Sequence, residues 1–333
     1  MRKDYINILV TSNDLGKRVD VFITEKINSL SRNRIKNLIK SENVMLDNLI
    51  IKEQSLKLKN EGIIKVKIPE PTQSYIVPIK MDLDILFEDK NLLVINKQAG
   101  IVVHPGAGNK NNTLVNGLLY HCENCLSDIG GVLRPGIVHR LDKMTSGLML
   151  VAKDNETHQA LSKQFLNRRI SRKYICLVWK TLPHKNGEIN KNIERSKHNR
   201  KKMVVCNSNR GKIAITNYTL INKFFFDTDL SISQYECKLL TGRTHQIRVH
   251  LNYMGCPLVG DKLYKKRIDL SRIPQSIKTS IKNLTLLERQ LLHSRSISFY
   301  HPILKKEMSF ESKNPEDYDN FINSLKKNKT LSH

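Results

Sequence analysis

Residues 136–154, GIVHRLDKMTSGLMLVAKD, hold one carboxylate in a polar loop. Asp142 follows His139 and Arg140 and precedes Thr145, Ser146 and Gly147. Pro135-Gly136 upstream signals a turn, and residues 148–152 downstream form a short apolar run of the kind that fills a central strand. A loop feeding straight into a core strand can pin a reactive group and keep it reachable. A carboxylate there can serve as a nucleophile or as a general base. Alternatively, it pairs with Arg140 or His139 and only fastens the loop. A second dense stretch, TGRTHQIRVHLNYMGCPLVGD at 241–261, offers it a partner. A helix is expected from about Thr244, with Ile247, Leu251 and Met254 on one face, Gly255 as its stop and Pro257 as the break. His245 and Arg248 would project together as i, i+3 neighbours. Arg248 would then meet Asp142, neutralise it and fix its orientation; the alternative is an arginine on a solvated face.

Elements that could position these residues are legible on both sides. Apolar Val19, Phe22, Ile23, Ile27 and Leu30 predict an amphipathic helix within 17–30. Ser31 reads as the N-cap of a second helix that buries Ile35, Leu38 and Ile39 and carries a basic stripe, Arg32, Lys36 and Lys40. Residues 44–51 read as a hairpin turning at Asp47-Asn48, and IIKVKI at 63–68 as a further strand. Pro69, Pro71 and Pro78 mark an extended linker. Beyond it, ILF and LLVIN flank a polar turn at 88–91 and suggest another hairpin. Residues 155–168 look helical with Leu161, Phe165 and Leu166 inward, and 174–179 and 213–220 look like strands. Closing strands are expected within 286–310, followed by a frayed polar tail at 326–333.

Composition bounds the partners. The chain has 333 residues, with 56 Lys+Arg against 31 Asp+Glu, a formal net charge of +25. That length allows more than one domain, and that excess points to a polyanion, nucleic acid before an anionic membrane surface. An Asn- and Ile-rich background also raises lysine content, so placement says more than the total. Residues 195–202, RSKHNRKK, include Lys197 and Arg200; with Arg168, Arg169, Arg172 and Lys173 they form two basic clusters flanking the strand at 174–179, read as an RNA track. No apolar run reaches the length of a membrane span, and the apolar residues 6–10 are too short for a signal peptide. A cytoplasmic protein with free thiols is expected. Cys122 and Cys125 form C-x-x-C beside His121 but lack a second pair to complete a zinc site.

The motifs have a family likeness. G-K-R-V-D at 16–20, S-R-N-R-I-K-N-L-I at 31–39 and the V-M-L-D-N turn resemble the small S-four-type RNA-binding domain first seen in a ribosomal small-subunit protein, which usually has Asn-Gly at that turn. H-R-L-D-x-x-T-S-G, then R-K-Y, then G-R-T-H-Q-I-R-V-H with P-L-V-G-D resemble the RluA/RluD family of pseudouridine synthases across about residues 16–315. Met144 departs from the Asp often found there. The resemblance implies an α+β architecture: a small α/β RNA-binding domain at 1–70, a linker at 71–83, a catalytic domain at 84–325 on a mixed, predominantly antiparallel sheet, and a tail at 326–333.

The resemblance also implies isomerisation of uridines in large-subunit ribosomal RNA. The N1–C1′ bond breaks, the uracil turns and rejoins through C5, C5 loses a proton and N1 gains one. No cofactor or metal is required. Asp142 would be the catalytic carboxylate, as nucleophile on sugar or base or as the base removing a ribose proton. Arg248 would pair with it, and Tyr174 would pack on the uracil and assist deprotonation. Arg140, with His139 beside it, would hold a nucleotide flipped out of the RNA. The partner would be ribosomal RNA or a pre-ribosomal particle, met by a monomer along a basic surface bearing Arg32, Lys36, Lys40, Lys197 and Arg200. A non-catalytic RNA binder would not need Asp142, Tyr174 and Arg248 together, and a zinc deaminase would need a His/Cys/Glu frame that is not evident.

Overall fold

The computed structural model describes all residues except 1–4, 28–29, 31, 70–75, 107, 110, 124, 132, 207–209, 228–229, 265–267 and 330–333. The chain divides into two compact units, Met1–Gln73 and Ser74–His333.

The first unit contains β1 (Tyr5–Val10), α1 (Val19–Lys26), α2 (Arg32–Lys40), β2 (Val44–Leu46), β3 (Leu49–Ile50) and β4 (Gly62–Lys67). Its antiparallel sheet runs β1-β4-β2-β3. Phe22 and Ile23 of α1 and Ile35 and Ile39 of α2 pack on Val44, Ile64 and Val66 of the sheet, all fully buried. The hairpin turns at Asp47 and Asn48, whose φ values of 46° and 71° are those a two-residue turn demands. The expected N-cap, Ser31, lies outside the described residues.

The second unit contains β5 (Ile85–Glu88), β6 (Leu92–Lys97), α3 (Leu114–His121), β7 (Ser146–Ala152), α4 (Asn155–Leu166), β8 (Ser171–Trp179), β9 (Asn186–Asn190), β10 (Asn192–Arg195) and β11 (Met203–Cys206). It continues with β12 (Ile215–Asp227), β13 (Leu230–Leu239), α5 (Gln246–Tyr253), α6 (Gln275–Leu286), β14 (Leu292–His301), β15 (Lys306–Glu311) and α7 (Glu316–Lys329). One large sheet runs β5-β6-β7-β14-β8-β13-β12-β9, with β15 also on β14. Among the described residues, its one parallel pairing is β7 with β14, so the sheet is mixed and predominantly antiparallel. Strands β10 and β11 form a separate hairpin.

Period-2 alternation distributes the core over both faces of this sheet. Leu93, Ile95, Met149, Val151, Tyr174, Cys176 and Val178 pack with α3 and α5 residues such as Leu118, Ile247 and Leu251. Their neighbours point the other way: Leu92, Val94, Leu148 and Leu150 pack with Leu161 of α4, and Ile175, Leu177 and Trp179 pack with Ile277 of α6 and Phe321 of α7. Strand β7 is buried along its whole length, which explains its unbroken apolar sequence.

Several details depart from the sequence reading. Leu166 is 81% exposed, because α4 ends there and Arg168 turns left-handed at φ 57°. The end of the expected linker is not free: Ile76 is buried, Val77 O accepts from Asn116 Nδ2 at 2.8 Å, and Ile79 N donates to Asn116 O. Helix α7 runs to Lys329, into the stretch expected to fray, because Phe321, Ile322 and Leu325 bury one face of it. No helix among the described residues is long and apolar enough to cross a membrane.

Candidate active site

Asp142 sits in the loop that enters β7, and buried polar side chains hold that loop from several directions. Lys97, the last residue of β6, is 2% exposed and donates to the carbonyls of Gln98, Ile101 and Lys143. Burial, with the charge of Arg289 added, pushes its pKa down to about 7. Gly100 N also donates to the Lys143 carbonyl. Arg289 reaches Met144 O at 2.8 Å and Ser146 Oγ at 3.1 Å while its Nε is held by Asp317 of α7 at 2.7 Å. Gln290 donates to Thr145 Oγ1, and Ser146 Oγ meets His293 Nδ1. Nearly every residue from 143 to 146 is therefore tied to a neighbouring strand or helix, and Asp142 is carried on a rigid support.

Arg248, on α5, meets Asp142 as the sequence suggested. Nη1 donates to Asp142 Oδ2 at 2.8 Å. The other edge of the guanidinium is taken by Asp261, with Nε to Oδ2 at 2.7 Å and Nη2 to Oδ1 at 3.0 Å. Asp261 is itself fixed by the backbone N–H groups of Leu263 and Tyr264. Burial alone would lower the pKa of Arg248, but the Asp261 and Asp142 carboxylates outweigh it and the pKa is raised. One cation thus serves two carboxylates. The bidentate partner orients it and Asp142 is left a single contact.

His245 lies outside α5 in the left-handed region, φ 56°, and not on the helix as expected. That turn still aims its Nε2 at Asp142 Oδ1, 3.8 Å away and too far for a hydrogen bond. The tautomer follows from its other neighbour. Tyr264 Oη accepts from Met203 N at 2.8 Å and lies 2.8 Å from His245 Nδ1. Burial raises the Tyr264 pKa to about 12, so the phenol keeps its proton and can donate it to Nδ1. With Nδ1 accepting that proton, the ring N–H is Nε2, on the side of the free oxygen of Asp142. Burial lowers the His245 pKa, with Asp142 opposing, and the ring is neutral near pH 7.

Asp142, Arg248, His245 and Tyr174 line one pocket of about 580 Å³ with Arg140 and Phe165. Tyr174, on β8, is 4% exposed, and burial raises its pKa, so its phenol is protonated at rest. Arg140 stands at the exposed edge, with Nη1 2.8 Å from His104 Nε2. His104 Nδ1 is spent on Pro105 O, which leaves Nε2 as the acceptor.

The remaining sequence candidates fall elsewhere or serve the frame. His139 Nε2 accepts from Leu150 N at 2.9 Å, and burial pushes its pKa down to about 3. It is a neutral brace between the loop and β7. Arg32 and Lys36 are not free charges: both turn to Asp20, a fully buried carboxylate, at 3.0 and 3.9 Å. Lys40 is exposed. Lys197 and Arg200 are exposed in the loop joining β10 to β11. Arg172, counted among the basic-cluster residues, is buried and lines the pocket. Cys122 is buried and Cys125 exposed, and no group of three metal-ligating side chains occurs among the described residues. Sequence reasoning did not single out Lys97, Asp261, Tyr264 or Arg289 as site residues. Asp261 closes P-L-V-G-D, where an acid a few residues beyond the predicted helix stop was the available signal.

A model of the RNA pseudouridylate synthase family matches residues 91–253. The chain is 41% identical over 311 residues to the ribosomal large subunit pseudouridine synthase D of Zymomonas mobilis, spanning 93% of this chain and 94% of that one. It is 38% identical over 325 residues to the RNA pseudouridine synthase YlyB of Bacillus subtilis, spanning 97% and 99%. Among solved structures, the human RNA pseudouridylate synthase domain containing 4 matches with a TM-score of 0.55 at 26% identity, over 73% of this chain and 93% of that one. The human domain containing 1 shares the fold, with a TM-score of 0.52 at 21% identity over 74% and 95%. Identity of this order along nearly the whole of both chains leaves one conclusion: the protein belongs to the RNA pseudouridylate synthase family and is an isomerase of uridine in RNA.

Proposed function

We propose that the substrate is large-subunit ribosomal RNA, free or in a pre-ribosomal particle, and that Asp142 is the reactive carboxylate. The observation that carries the reading is the Asp142–Arg248–Asp261 arrangement, which keeps Asp142 Oδ2 anchored and Oδ1 unbonded in a pocket beside Tyr174. An unbonded carboxylate oxygen can attack carbon or take a proton, and the reaction needs one such group. Arg248 orients the carboxylate and supplies its counter-charge. Tyr174 packs on the uracil as a neutral phenol, and Arg140 steadies the extruded nucleotide at the pocket edge. The names of relatives that act on the ribosomal large subunit support the choice of RNA. The first unit serves as the RNA-binding domain, with Lys40, and with Lys197 and Arg200 of the second unit, meeting phosphates. The enzyme works in the cytoplasm as a monomer and without a cofactor.

Asp142→Asn keeps the shape of the side chain and removes its charge and lone-pair reactivity. Release of tritium from uridine labelled at C5 should vanish, while RNA binding and melting temperature hold. Arg248→Met should also stop turnover, by leaving two carboxylates without their cation. A folded Asp142→Asn protein with wild-type tritium release would overturn the assignment. Pseudouridine maps of ribosomal RNA from cells with and without the gene test the substrate.

A further inference from the structure

Arg172 lies on β8 two residues before Tyr174, so both side chains leave the same face of the strand and line the same pocket. Its backbone is paired with Ile297 of β14, which gives it a rigid base. The side chain is 8% exposed, yet its buried Nε has no hydrogen-bond partner. Among the described residues no carboxylate pairs with it. Its neighbours are the Phe165 ring, 5.1 Å from the guanidinium carbon, and the protonated Tyr174. On its far side is Gly242, where even a Cβ would come within 2.9 Å of Nη1. Arg248 in the same pocket carries two carboxylates, whereas Arg172 carries none. Burial of a cation without its water or a counter-charge is unfavourable and lowers its pKa.

We propose that Arg172 is a phosphate site, and that a backbone phosphate of the RNA, on or beside the nucleotide entering the pocket, completes it. A uracil carbonyl is neutral and would leave the charge uncompensated, whereas the phosphodiester is an anion that the RNA itself brings to this pocket. The planar fork suits a phosphate edge-on, and contact with the Phe165 ring restrains the guanidinium while its edge remains available. The glycine at 242 leaves room for it. Here lies the difference from the exposed lysines and arginines, which meet phosphates while still hydrated. Arg172 is desolvated in advance, so its contact fixes one phosphate in register with Asp142. The inference rests on the pocket being the uridine site, a reading that Asp142→Asn tests separately.

The experiment uses the full chain and a short RNA stem-loop substrate, made as a set in which each phosphate around the target uridine is replaced in turn by an uncharged methylphosphonate. With the wild-type protein, one position should lower kcat/KM by about tenfold or more. Arg172→Met should suffer a comparable loss on unmodified RNA, and the sensitive methylphosphonate should cost it nothing further. Its binding should lose about one unit of salt slope. The melting temperature of Arg172→Met should equal or exceed the wild type, since an unpaired buried charge is gone. Should that variant fail to fold, Arg172→Lys should show blunted sensitivity at the same phosphate. If every methylphosphonate costs wild type and variant the same factor, Arg172 holds no phosphate. A parallel loss of melting temperature and activity with the wild-type phosphate pattern would mean that it only supports the fold.

Discussion

At the scale of single residues, the site is a contest for hydrogen bonds around one carboxylate. Asp261 takes two donors of Arg248 and leaves Asp142 one, so Asp142 is oriented but half free. The proton facing its free oxygen is set at second hand. A proton donated by Tyr264 to His245 Nδ1 assigns the remaining one to Nε2. Tyr264→Phe removes that donor and lets the proton move to Nδ1, which turns a lone pair toward Asp142. The expected result is a fall in kcat of about tenfold with KM nearly unchanged, and a loss of roughly 2 kcal/mol in stability for the two hydrogen bonds of the phenol. Tritium release measured beside urea denaturation checks this, and an unchanged kcat would make His245 a spectator.

At the scale of elements, the position of the Asp142 loop depends on how closely β7 and β14 approach. Gly147 stands opposite Ser294 in the parallel pairing of β7 with β14, at φ 113°. A Cβ there would overlap the Ser294 backbone, which cannot yield as a flexible side chain would. Gly147→Ala therefore meets both a backbone penalty and a steric one. It should cost about 2 kcal/mol or more and reduce turnover beyond the loss of folded protein, because Asp142 is five residues upstream on the same strand entry. Denaturation midpoints with tritium release per folded molecule are the measurements; a wild-type value for both would show that the strands can separate freely. The same clamp explains why Lys97 and Arg289 are buried: the loop's carbonyls need donors where water is excluded.

At the scale of the whole molecule, the buried histidines make stability depend on acid. Burial, then neighbouring arginine charge, pushes His139 down to about 3 and His293 down to about 4. Unfolded histidines titrate near 6.5, so below that pH the unfolded chain takes up protons that the folded chain refuses. Stability is complete above about pH 6.5 and lost toward pH 4, at roughly 3 kcal/mol per pH unit where both differ by a full proton. Equilibrium denaturation at pH 7.5, 6.0 and 5.0 should show the decline; a flat profile would mean that these rings protonate in place. The net charge of +25 bears on association rather than on folding. Removing residues 1–73 should leave the second unit folded on its own core, weaken RNA binding and reduce its salt slope. Undiminished activity on ribosomal RNA would show that the first unit does not target this substrate.

Local pattern determined much of this protein. An unbroken apolar run marked β7 as a central strand, apolar runs marked β6 and β8 as strands, the Asp47-Asn48 turn marked the small hairpin, and Gly255 marked the end of α5. Those signals are local because side-chain periodicity and turn conformation involve only a few neighbouring residues. The pairing of Asp142 with Arg248 was legible as a possibility, since one acid and one base each stood in a dense motif. Only the tertiary structure chose Arg248 over Arg140 and His139, by folding α5 against the loop across 106 residues of sequence. Sequence likewise ranked Arg32, Lys36 and Arg172 with the free basic charges. A buried Asp20 claims the first two, and the third is enclosed beside Phe165 and Gly242. Whether a charge is hydrated, paired or stranded depends on what distant segments bring beside it, and residue type carries no record of that.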